Sequence, residues 1–285
     1  MTPVTGPPLA AVRDAVARAL AEDLLPLGDL TAGLIGPSAT GSGAVVARAA
    51  GVLAGSVCLT ETYAQLDPAV SVRFLVADGD VVVAGTKVAE VDGPLASLLS
   101  GERTALNLLC HLSGVATLTR RFVDAAGASS TRVLDTRKTL PGLRALQKAA
   151  VRAGGGHNHR GSLSDMVLVK DNHRAALGIG EAVAMARRRW PFRAVEVECD
   201  TVDQVGEAVA AGATAVLLDN MTPAQVRRCV DLVAGRALTE ASGGVTLDTV
   251  AAYAAAGVDF VSVGALTMSA PSLDLGLDLG RDGER

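Results

Sequence analysis

The sequence predicts an α/β protein in which a small N-terminal region precedes a parallel sheet that is closed, or nearly closed, into a barrel. Two observations support this fold class. From residue 131 onward, strand-like segments alternate with helix-length segments, and repeated βα units of this length build parallel sheets. Before about residue 130, short apolar segments are instead separated by glycine turns. A chain of 285 residues with 49% hydrophobic content suits one large domain or two unequal domains.

The N-terminal region is predicted to begin with an amphipathic helix at about residues 9–22. A second helix, at about residues 94–113, is predicted to connect this region to the next one. Between the two helices, apolar segments bounded by glycine predict the strands of a small sheet at residues 43–47, 51–55, 70–76 and 78–85.

The second region is predicted to contain six strands separated by helices. Thr222 before Pro223 suits an N-cap followed by proline at the first helical position, and Gly257 suits a left-handed C-terminal cap. Such boundary signals support the alternation of strands and helices. The predicted strands cover residues 132–135, 165–170, 194–199, 213–219, 237–242 and 258–263.

Composition limits the partners and the location of the protein. A net charge of -4 and a pI near 5.6 argue against nucleic acid or an anionic membrane as the main partner. No apolar run approaches about 18 residues, and the N-terminus lacks the pattern of a secretion signal, so a cytoplasmic protein is expected. The cysteines form no C-x-x-C pair, which predicts buried reduced thiols at Cys58, Cys110, Cys199 and Cys229.

Polar residues or glycines end all six predicted strands. In a βα barrel the C-terminal ends of the strands converge on one face, where substrate sites lie. We therefore expect one pocket, lined by residues that are far apart in the sequence. Its predicted members are residues 135–138, Lys170, Glu198, Asp219, residues 242–244 and Gly264.

A basic cluster stands out between residues 137 and 170 of this mildly acidic chain. Arg137 and Arg160 carry planar guanidinium groups that suit bidentate binding of carboxylates or phosphates. Lys138, His159 and Lys170 add point charges or hydrogen-bond donors. The cluster predicts a ligand with two or more carboxylates.

Acceptor side chains and glycines complete the predicted pocket. Glu198 and Asp219 suit sugar hydroxyls or a magnesium ion that bridges to the phosphates of a substrate. Bare backbone N–H groups at residues 242–244 and 263–265 favour a phosphate. The pocket is therefore predicted to bind a carboxylate-rich molecule beside a phosphorylated sugar.

Gly154, Gly155 and Gly156 admit two interpretations. They could form a flexible link after a helix, or they could let the backbone pass close to a ligand and place His159 and Arg160 against it; their position favours the second. His173 is predicted to be a hydrogen-bonded structural histidine, and the weight of His157 stays open.

Short motifs along nearly the whole chain carry a family resemblance. They cover residues 20–23, 28–31, 135–142, 154–160, 169–173, 196–198, 217–220, 241–244, 262–267 and 273–278. In this order they resemble the signature series of the quinolinate phosphoribosyltransferase family. The resemblance implies decarboxylating phosphoribosyl transfer, in which quinolinate and 5-phosphoribosyl 1-pyrophosphate yield nicotinate mononucleotide, carbon dioxide and pyrophosphate during de novo NAD biosynthesis.

The resemblance also implies an architecture. An N-terminal α/β sandwich of residues 1–115, joined by the C-terminal segment 268–285, would accompany an open, TIM-like parallel α/β barrel of residues 116–267. A homodimer is implied in which Arg103 of one subunit enters the pocket of its neighbour. The role of Arg103 rests on the resemblance alone.

The resemblance further assigns roles to individual residues. Glu198 and Asp219 would hold magnesium, directly or through water, and would act in catalysis with Lys138. The quinolinate residues would be Arg103, Thr136, Arg137, His159, Arg160 and Lys170. The phosphoribosyl pyrophosphate residues would be Lys138, Glu198, Asp219, Ser242, Gly243, Gly244, Val263, Gly264 and Ala265.

Three residues depart from the family pattern. Leu140 stands where a second threonine is common, Gln147 where glutamate is common, and Met268 where histidine often precedes Ser269. Two alternative functions remain open: a protein of the same fold that uses another anionic base, and a non-catalytic protein that binds dicarboxylates or phosphosugars.

Overall fold

The computed structural model describes residues 6–280, which contain ten α-helices and twelve β-strands. In chain order these elements are α1 (Leu9–Leu24), β1 (Thr40–Ala47), β2 (Gly51–Val52), α2 (Ser56–Leu66), β3 (Ser71–Phe74), β4 (Val81–Val82), β5 (Lys87–Pro94), α3 (Leu95–Ala126), β6 (Arg132–Leu134), α4 (Arg144–Ala153), β7 (Val167–Val169), α5 (Asp171–Leu177), α6 (Ile179–Arg189), β8 (Val195–Cys199), α7 (Val202–Ala210), β9 (Ala215–Asp219), α8 (Pro223–Val233), β10 (Leu238–Ser242), α9 (Val250–Ala255), β11 (Phe260–Ser262), α10 (Ala265–Met268) and β12 (Leu275–Leu279).

The chain forms two compact units. The first contains the residues up to 120, residues 139–155 and the residues from 266 onward, while the second contains residues 121–138 and 156–265. Within residues 6–280, no helix combines the length and the apolar character that a membrane span requires.

An antiparallel sheet forms the centre of the first unit. Its strand order is β12-β1-β5-β3, and β12 pairs with β1 so that Val45 lies opposite Leu277. The C-terminal segment therefore completes a sheet whose other strands come from the N-terminal region; residues 281–285 of that segment lie outside the described residues. Leu53, Leu59, Tyr63 and Leu98 are buried in the core against this sheet.

A parallel sheet forms the centre of the second unit. Its six strands have the order β6-β11-β10-β9-β8-β7, and each paired strand runs in the same direction as its neighbour. An isolated parallel bridge joins Leu134 of β6 to His157. The alternating βα pattern of the sequence thus produces the predicted parallel sheet, and its open strand order agrees with the open barrel that the family resemblance implies.

The predicted boundaries at the start of α8 and after the end of α9 are confirmed. Thr222 and Gln225 form a reciprocal capping box, with Pro223 in the first turn. Gly257 follows α9 with a φ of +88°, which glycine adopts without steric cost.

The helix predicted at residues 94–113 is much longer and extends to Ala126. Gly114 lies inside this helix. Its missing side chain leaves room for the backbone of the C-terminal segment, since a Cβ atom there would lie 2.1 Å from the carbonyl oxygen of Pro271. The helix ends before Gly127, whose φ is +73°.

Two other predictions need adjustment. Residues 87–94 form a separate strand, β5, that the sequence patterns did not isolate, and β5 pairs with both β1 and β3. All four cysteines are free thiols, as predicted, but Cys110 is only partly buried while the other three are buried.

Candidate active site

A cavity of about 680 Å³ lies in the second unit, at the C-terminal ends of its strands. This is the position that the strand-end residues predicted. Its lining residues are Thr136, Arg137, Lys138, His159, Arg160, Leu168, Lys170, Asp171, Glu198, Leu217, Asp219, Asn220, Glu240, Ser242, Gly243, Gly244 and Ser262.

Residues that line the cavity recur at every second position along β9 and β10. Glu198 precedes the end of β8 by one residue, and Asp219 and Ser242 end β9 and β10, where they are register partners. Two residues earlier, Leu217 and Glu240 are also register partners and also line the cavity. Since side chains alternate between the two faces of a strand, these residues form two successive layers on the inner face.

Basic side chains from separate segments meet in this cavity. Arg137 and Lys138 follow β6, His159 and Arg160 follow the triple glycine, and Lys170 follows β7. Burial lowers the pKa of the Arg160 guanidinium, and the nearby charge of Arg137 lowers it further. Two guanidinium groups that repel each other in a partly buried pocket make a binding place for a multiply charged anion.

The acidic side chains of the cavity are close to these cations. Lys170 Nζ donates to Glu198 Oε2 at 2.5 Å, and Asn220 Nδ2 donates to Asp219 Oδ2 at 2.6 Å. Burial raises the pKa of Asp219, and the negative charges of Glu198 and Asp200 raise it further. Because two carboxylates repel each other here, the position suits a divalent cation with oxygen ligands.

We predict that Asp219→Asn stabilises the folded chain at neutral pH when no divalent cation is present. The folded-state pKa of Asp219 lies above its ordinary value of 3.8. Between these two pKa values the folded chain therefore binds more protons than the unfolded chain. Stability from this group is therefore lost as the pH rises, and asparagine removes the loss. Urea unfolding should show a gain at neutral pH that shrinks as the pH falls toward 3.8; a gain that does not depend on pH would contradict this origin.

Asp135 organises the segment that carries His159. Its side chain is fully buried and accepts hydrogen bonds from the backbone N–H of His159 at 2.9 Å and from Asn158 Nδ2 at 2.6 Å. The backbone N–H of Asp135 in turn donates to the carbonyl oxygen of His157. Asp135 therefore positions the turn and does not line the cavity itself.

The glycine loop after β10 approaches the end of β9 closely. Gly243 has a φ of +91°, and a Cβ atom there would lie 2.2 Å from Asn220 Oδ1. Gly244 has a φ of +61° and open space at its Cβ position. Such a loop presents backbone N–H groups without side chains, which suits a phosphate.

Comparisons with known proteins agree with this geometry. The family model for the C-terminal domain of quinolinate phosphoribosyl transferase matches residues 115–278, and the model for the N-terminal domain matches residues 29–113. The chain belongs to the quinolinate phosphoribosyltransferase family.

Individual relatives in this family are similar over almost their whole length. A Bacillus subtilis protein named probable nicotinate-nucleotide pyrophosphorylase (carboxylating) is 44% identical over 254 residues, which cover 88% of each chain. The Mycobacterium leprae nicotinate-nucleotide pyrophosphorylase (carboxylating) is 43% identical over 277 residues, which cover 94% of this chain and 97% of the relative. The solved structure of the Francisella tularensis nicotinate-nucleotide pyrophosphorylase has 37% identity and a TM-score of 0.93, and the match covers 97% of this chain and 99% of that one.

Four residues that the family resemblance assigns to the site do not line the cavity. Arg103 is exposed on α3 in the first unit. Val263 is buried, while Gly264 and Ala265 follow β11. Gly264 nevertheless lies beside a cavity residue, since a Cβ atom there would be 3.0 Å from Lys138 Cδ.

The triple glycine allows close packing within the protein and, contrary to one of its two interpretations, does not bring the backbone to the cavity. A Cβ atom at Gly154 would lie 2.4 Å from the carbonyl oxygen of Ala116, so glycine permits close packing against α3. Gly155 has a φ of +89°, and neither it nor Gly156 lines the cavity. His159 and Arg160 do line it, as predicted.

The two remaining histidines of this part of the chain are placed clearly. His173 Nδ1 accepts a hydrogen bond from the backbone N–H of Lys170 at 3.0 Å, so its predicted structural role is confirmed. His157 is exposed. Partial burial of its ring lowers its pKa, and the charge of Arg132 lowers it further.

Several cavity residues were missing from the sequence predictions, which considered only strand ends. Glu240 and Ser262 each lie two residues before a predicted site residue, as do Leu168 and Leu217. The period of two along a strand was the signal that could have found them. Asp171 and Asn220, which directly follow Lys170 and Asp219, also line the cavity.

Gln147, a departure from the family pattern, is fully buried in the first unit and well bonded there. Its Nε2 lies 2.9 Å from His111 Nε2 and donates to the carbonyl oxygen of Thr267 at 2.8 Å, while its Oε1 accepts from the backbone N–H of Leu140. Burial lowers the pKa of His111, which favours a neutral ring that accepts from the amide. Glutamine thus suits a neutral histidine partner.

Proposed function

We propose that the chain transfers the phosphoribosyl group of 5-phosphoribosyl 1-pyrophosphate to quinolinate and releases carbon dioxide and pyrophosphate, forming nicotinate mononucleotide for de novo NAD biosynthesis. The observation that carries this proposal is the composition of one cavity. Arg137 and Arg160 stand with Lys138 and Lys170 in the same cavity as paired carboxylates and a glycine loop. A cytoplasmic location accords with this function.

The basic side of the cavity suits quinolinate, a pyridine with two adjacent carboxylates. Guanidinium groups bind carboxylates through two parallel hydrogen bonds, and an ammonium group adds charge without restricting direction. Arg137 and Arg160 would orient the two carboxylates, with Lys170 and Thr136 beside them. A base with a single carboxylate, such as nicotinate, would leave part of this charge unbalanced.

The acidic and glycine-rich side suits the second substrate. Glu198 and Asp219 offer carboxylate oxygens. Burial and then the negative charges of Glu198 and Asp200 raise the pKa of Asp219, and a bound cation would stabilise its carboxylate. We propose that these two residues hold magnesium, directly or through water, and that Ser242, Gly243 and Gly244 bind the 5′-phosphate. When bound, magnesium neutralises the charge of the leaving pyrophosphate.

Catalysis would depend mainly on positioning and electrostatics. Lys138 would stabilise negative charge on the departing pyrophosphate, while the arginines hold the pyridine nitrogen against the anomeric carbon of the ribose. The C–O bond to pyrophosphate breaks and a C–N bond forms. When the adjacent carboxylate leaves as carbon dioxide, the electron pair of the broken C–C bond stays at C2, where the positive charge of the quaternary ring nitrogen stabilises it. A proton then binds to C2 and completes the product.

The direct test measures carbon dioxide and pyrophosphate release from the purified protein with quinolinate, phosphoribosyl pyrophosphate and magnesium. Equal release of both products with quinolinate, and none with nicotinate, is the expected result. Pyrophosphate release with another anionic base but not with quinolinate would favour the same-fold alternative. Binding of both substrates without any release would favour the non-catalytic alternative.

We further propose a homodimer in which Arg103 of each subunit acts at the site of the other. Arg103 is exposed and lies outside the lining of the cavity of its own chain, as this arrangement requires. A shared site would give the cavity another cation for the substrate carboxylates.

We predict that inactive Arg103→Ala and Lys170→Ala variants regain activity when their subunits are mixed and allowed to exchange. A hybrid dimer contains one site with both residues, so about a quarter of wild-type activity is expected after full exchange at equal amounts. Pyrophosphate release measures the recovered activity of the mixture, and native mass spectrometry measures the fraction of hybrid dimers. Confirmed hybrid dimers without recovered activity would contradict the shared site.

A further inference from the structure

A buried charged layer lies beneath the strand-end residues of the cavity. Glu196 and Glu240 precede Glu198 and Ser242 by two residues, so they point to the same inner face one layer deeper. Their side chains are only 2% and 4% exposed. The interior layers of βα barrels are usually filled by apolar residues, which makes two carboxyl groups at this depth unusual.

His159 lies between these two carboxyl groups. Its Nε2 atom is 3.1 Å from Glu196 Oε2 and 3.3 Å from Glu240 Oε2. On the other side of the ring, Nδ1 is 2.8 Å from the backbone nitrogen of Arg160. Both ring nitrogens are therefore held by the protein, and the orientation of the ring is fixed.

The surroundings favour a positively charged ring. Burial alone would lower the pKa of His159, but hydrogen bonds and charge interactions with Glu196 and Glu240 raise it to about 10. The amide N–H of Arg160 favours the neutral ring, because it can donate only to an unprotonated Nδ1. Two carboxylates outweigh one amide, since charge-assisted hydrogen bonds are about twice as strong as neutral ones.

Other charged groups act on this cluster from neighbouring segments. Asp135, after β6, accepts the backbone N–H of His159. Burial raises the pKa of Glu196 and the charge of Glu240 raises it further, while the hydrogen bond to His159 and the charges of His159 and Arg160 oppose this shift. Arg137 acts on Arg160 in turn. The cluster is thus continuous with the basic side of the cavity.

Stability does not explain the cluster. A buried ion pair contributes little net stability compared with apolar side chains of the same size, because desolvation offsets the attraction. Glu240 Oε1 is also buried without a hydrogen-bond donor among the described residues, which adds an unfavourable contribution. His159 and Glu240 line the cavity, and Glu196 is bonded to His159. An energetically unfavourable cluster at this place points to a role in binding.

We infer that Glu196 and Glu240 are positioning residues of the quinolinate subsite, which hold the His159 ring as a fixed positive charge at the floor of the cavity. This inference rests on the proposed function. It predicts that both glutamates support binding of the dicarboxylate base, although their own charge has the wrong sign to bind it. Neither glutamate should affect the binding of phosphoribosyl pyrophosphate.

The kinetic test compares Glu240→Gln and Glu196→Gln with the wild type. Each variant should raise the KM for quinolinate about tenfold, as expected for loss of one charge-assisted hydrogen bond, and leave the KM for phosphoribosyl pyrophosphate within about twofold. Glu181→Gln, an exposed change of the same kind on α6, should match the wild type. Unchanged kinetics in both variants, or an equal loss for both substrates together with a lower melting temperature, would overturn the inference.

Histidine-selective ¹⁵N NMR tests the same point without turnover. The chain has only 4 histidines, and a His159→Gln variant assigns the signal. His159 should remain protonated well above neutral pH in the wild type, titrate at lower pH in Glu240→Gln, and respond to quinolinate in both. A neutral ring in the wild type, or loss of its signal on adding a divalent cation alone, would overturn the inference.

The two experiments separate the possible failures. If the wild type does not convert quinolinate, the proposed function fails whatever the state of His159. If the wild type converts quinolinate and the glutamine variants bind it normally, the function stands and the positioning role fails.

Discussion

Asp219→Asn should reduce kcat/KM for phosphoribosyl pyrophosphate by about a thousandfold or more and leave the fold intact. The change removes one negative charge from the place where Glu198 and Asp219 repel each other, so the affinity for the magnesium-bound substrate falls. It also removes the electrostatic preorganisation at the departing pyrophosphate, and loss of one such group costs about 100-fold to 1000-fold in other enzymes.

Three measurements make this result specific. Pyrophosphate release gives the loss of turnover, and calorimetric titration should show that quinolinate still binds, because the basic side chains are unchanged. Asp203→Asn serves as the matched control, since Asp203 is exposed in the first turn of α7. Normal turnover of Asp219→Asn at saturating magnesium would remove Asp219 from the proposed metal site.

The predicted gain in stability at neutral pH strengthens this interpretation. A variant that is inactive because it unfolds would be less stable than the wild type, whereas Asp219→Asn should be more stable in the absence of divalent cations. Activity and stability would then change in opposite directions. This is the behaviour expected of a site in which neighbouring carboxylates destabilise the fold but serve to bind a cation.

The position of the site could be predicted from the sequence because strand ends of a parallel sheet converge. Arg137, Lys170 and Asp219 are separated by dozens of positions, yet each follows or ends a strand of the same sheet. Backbone geometry alone therefore brings them together. Strand ends alone do not give the depth of the site. The period of two places Glu196 and Glu240 on the same face as Glu198 and Ser242, but it does not indicate that both contact His159.

Close contacts between distant segments were also beyond prediction from local patterns. Gly114 looks like a helix-ending residue but lies inside α3, whereas Gly154 does end α4. Each of them also has the backbone or a side chain of another segment against it. Gly114 therefore continues α3, and Gly154 packs on it. Likewise β12 is a five-residue strand whose place in the N-terminal sheet depends on pairing with β1. Only the family resemblance indicated that the C-terminal segment joins this sheet.

Gly243→Ala should remove most of the activity through steric contact alone. The new Cβ atom would lie 2.2 Å from Asn220 Oδ1 and 2.9 Å from the backbone nitrogen of Asn220. That nitrogen donates to the carbonyl oxygen of Ser242, so relief of the contact must separate the ends of β9 and β10. Because Asp219 and Ser242 are register partners at these ends, the residues proposed to bind the metal and those proposed to bind the phosphate would shift together.

The expected effect is a loss of about 100-fold in kcat/KM for phosphoribosyl pyrophosphate, with quinolinate binding reduced much less. The matched control is Gly235→Ala, because Gly235 has a φ of +72° but open space around its Cβ position. Both variants should lose about 1 kcal/mol of stability from the left-handed backbone, whereas only Gly243→Ala should lose activity. Steady-state kinetics and urea unfolding of the two variants measure these effects. Equal activity in both would show that the close approach of the loop to Asn220 has no part in binding the phosphoribosyl group.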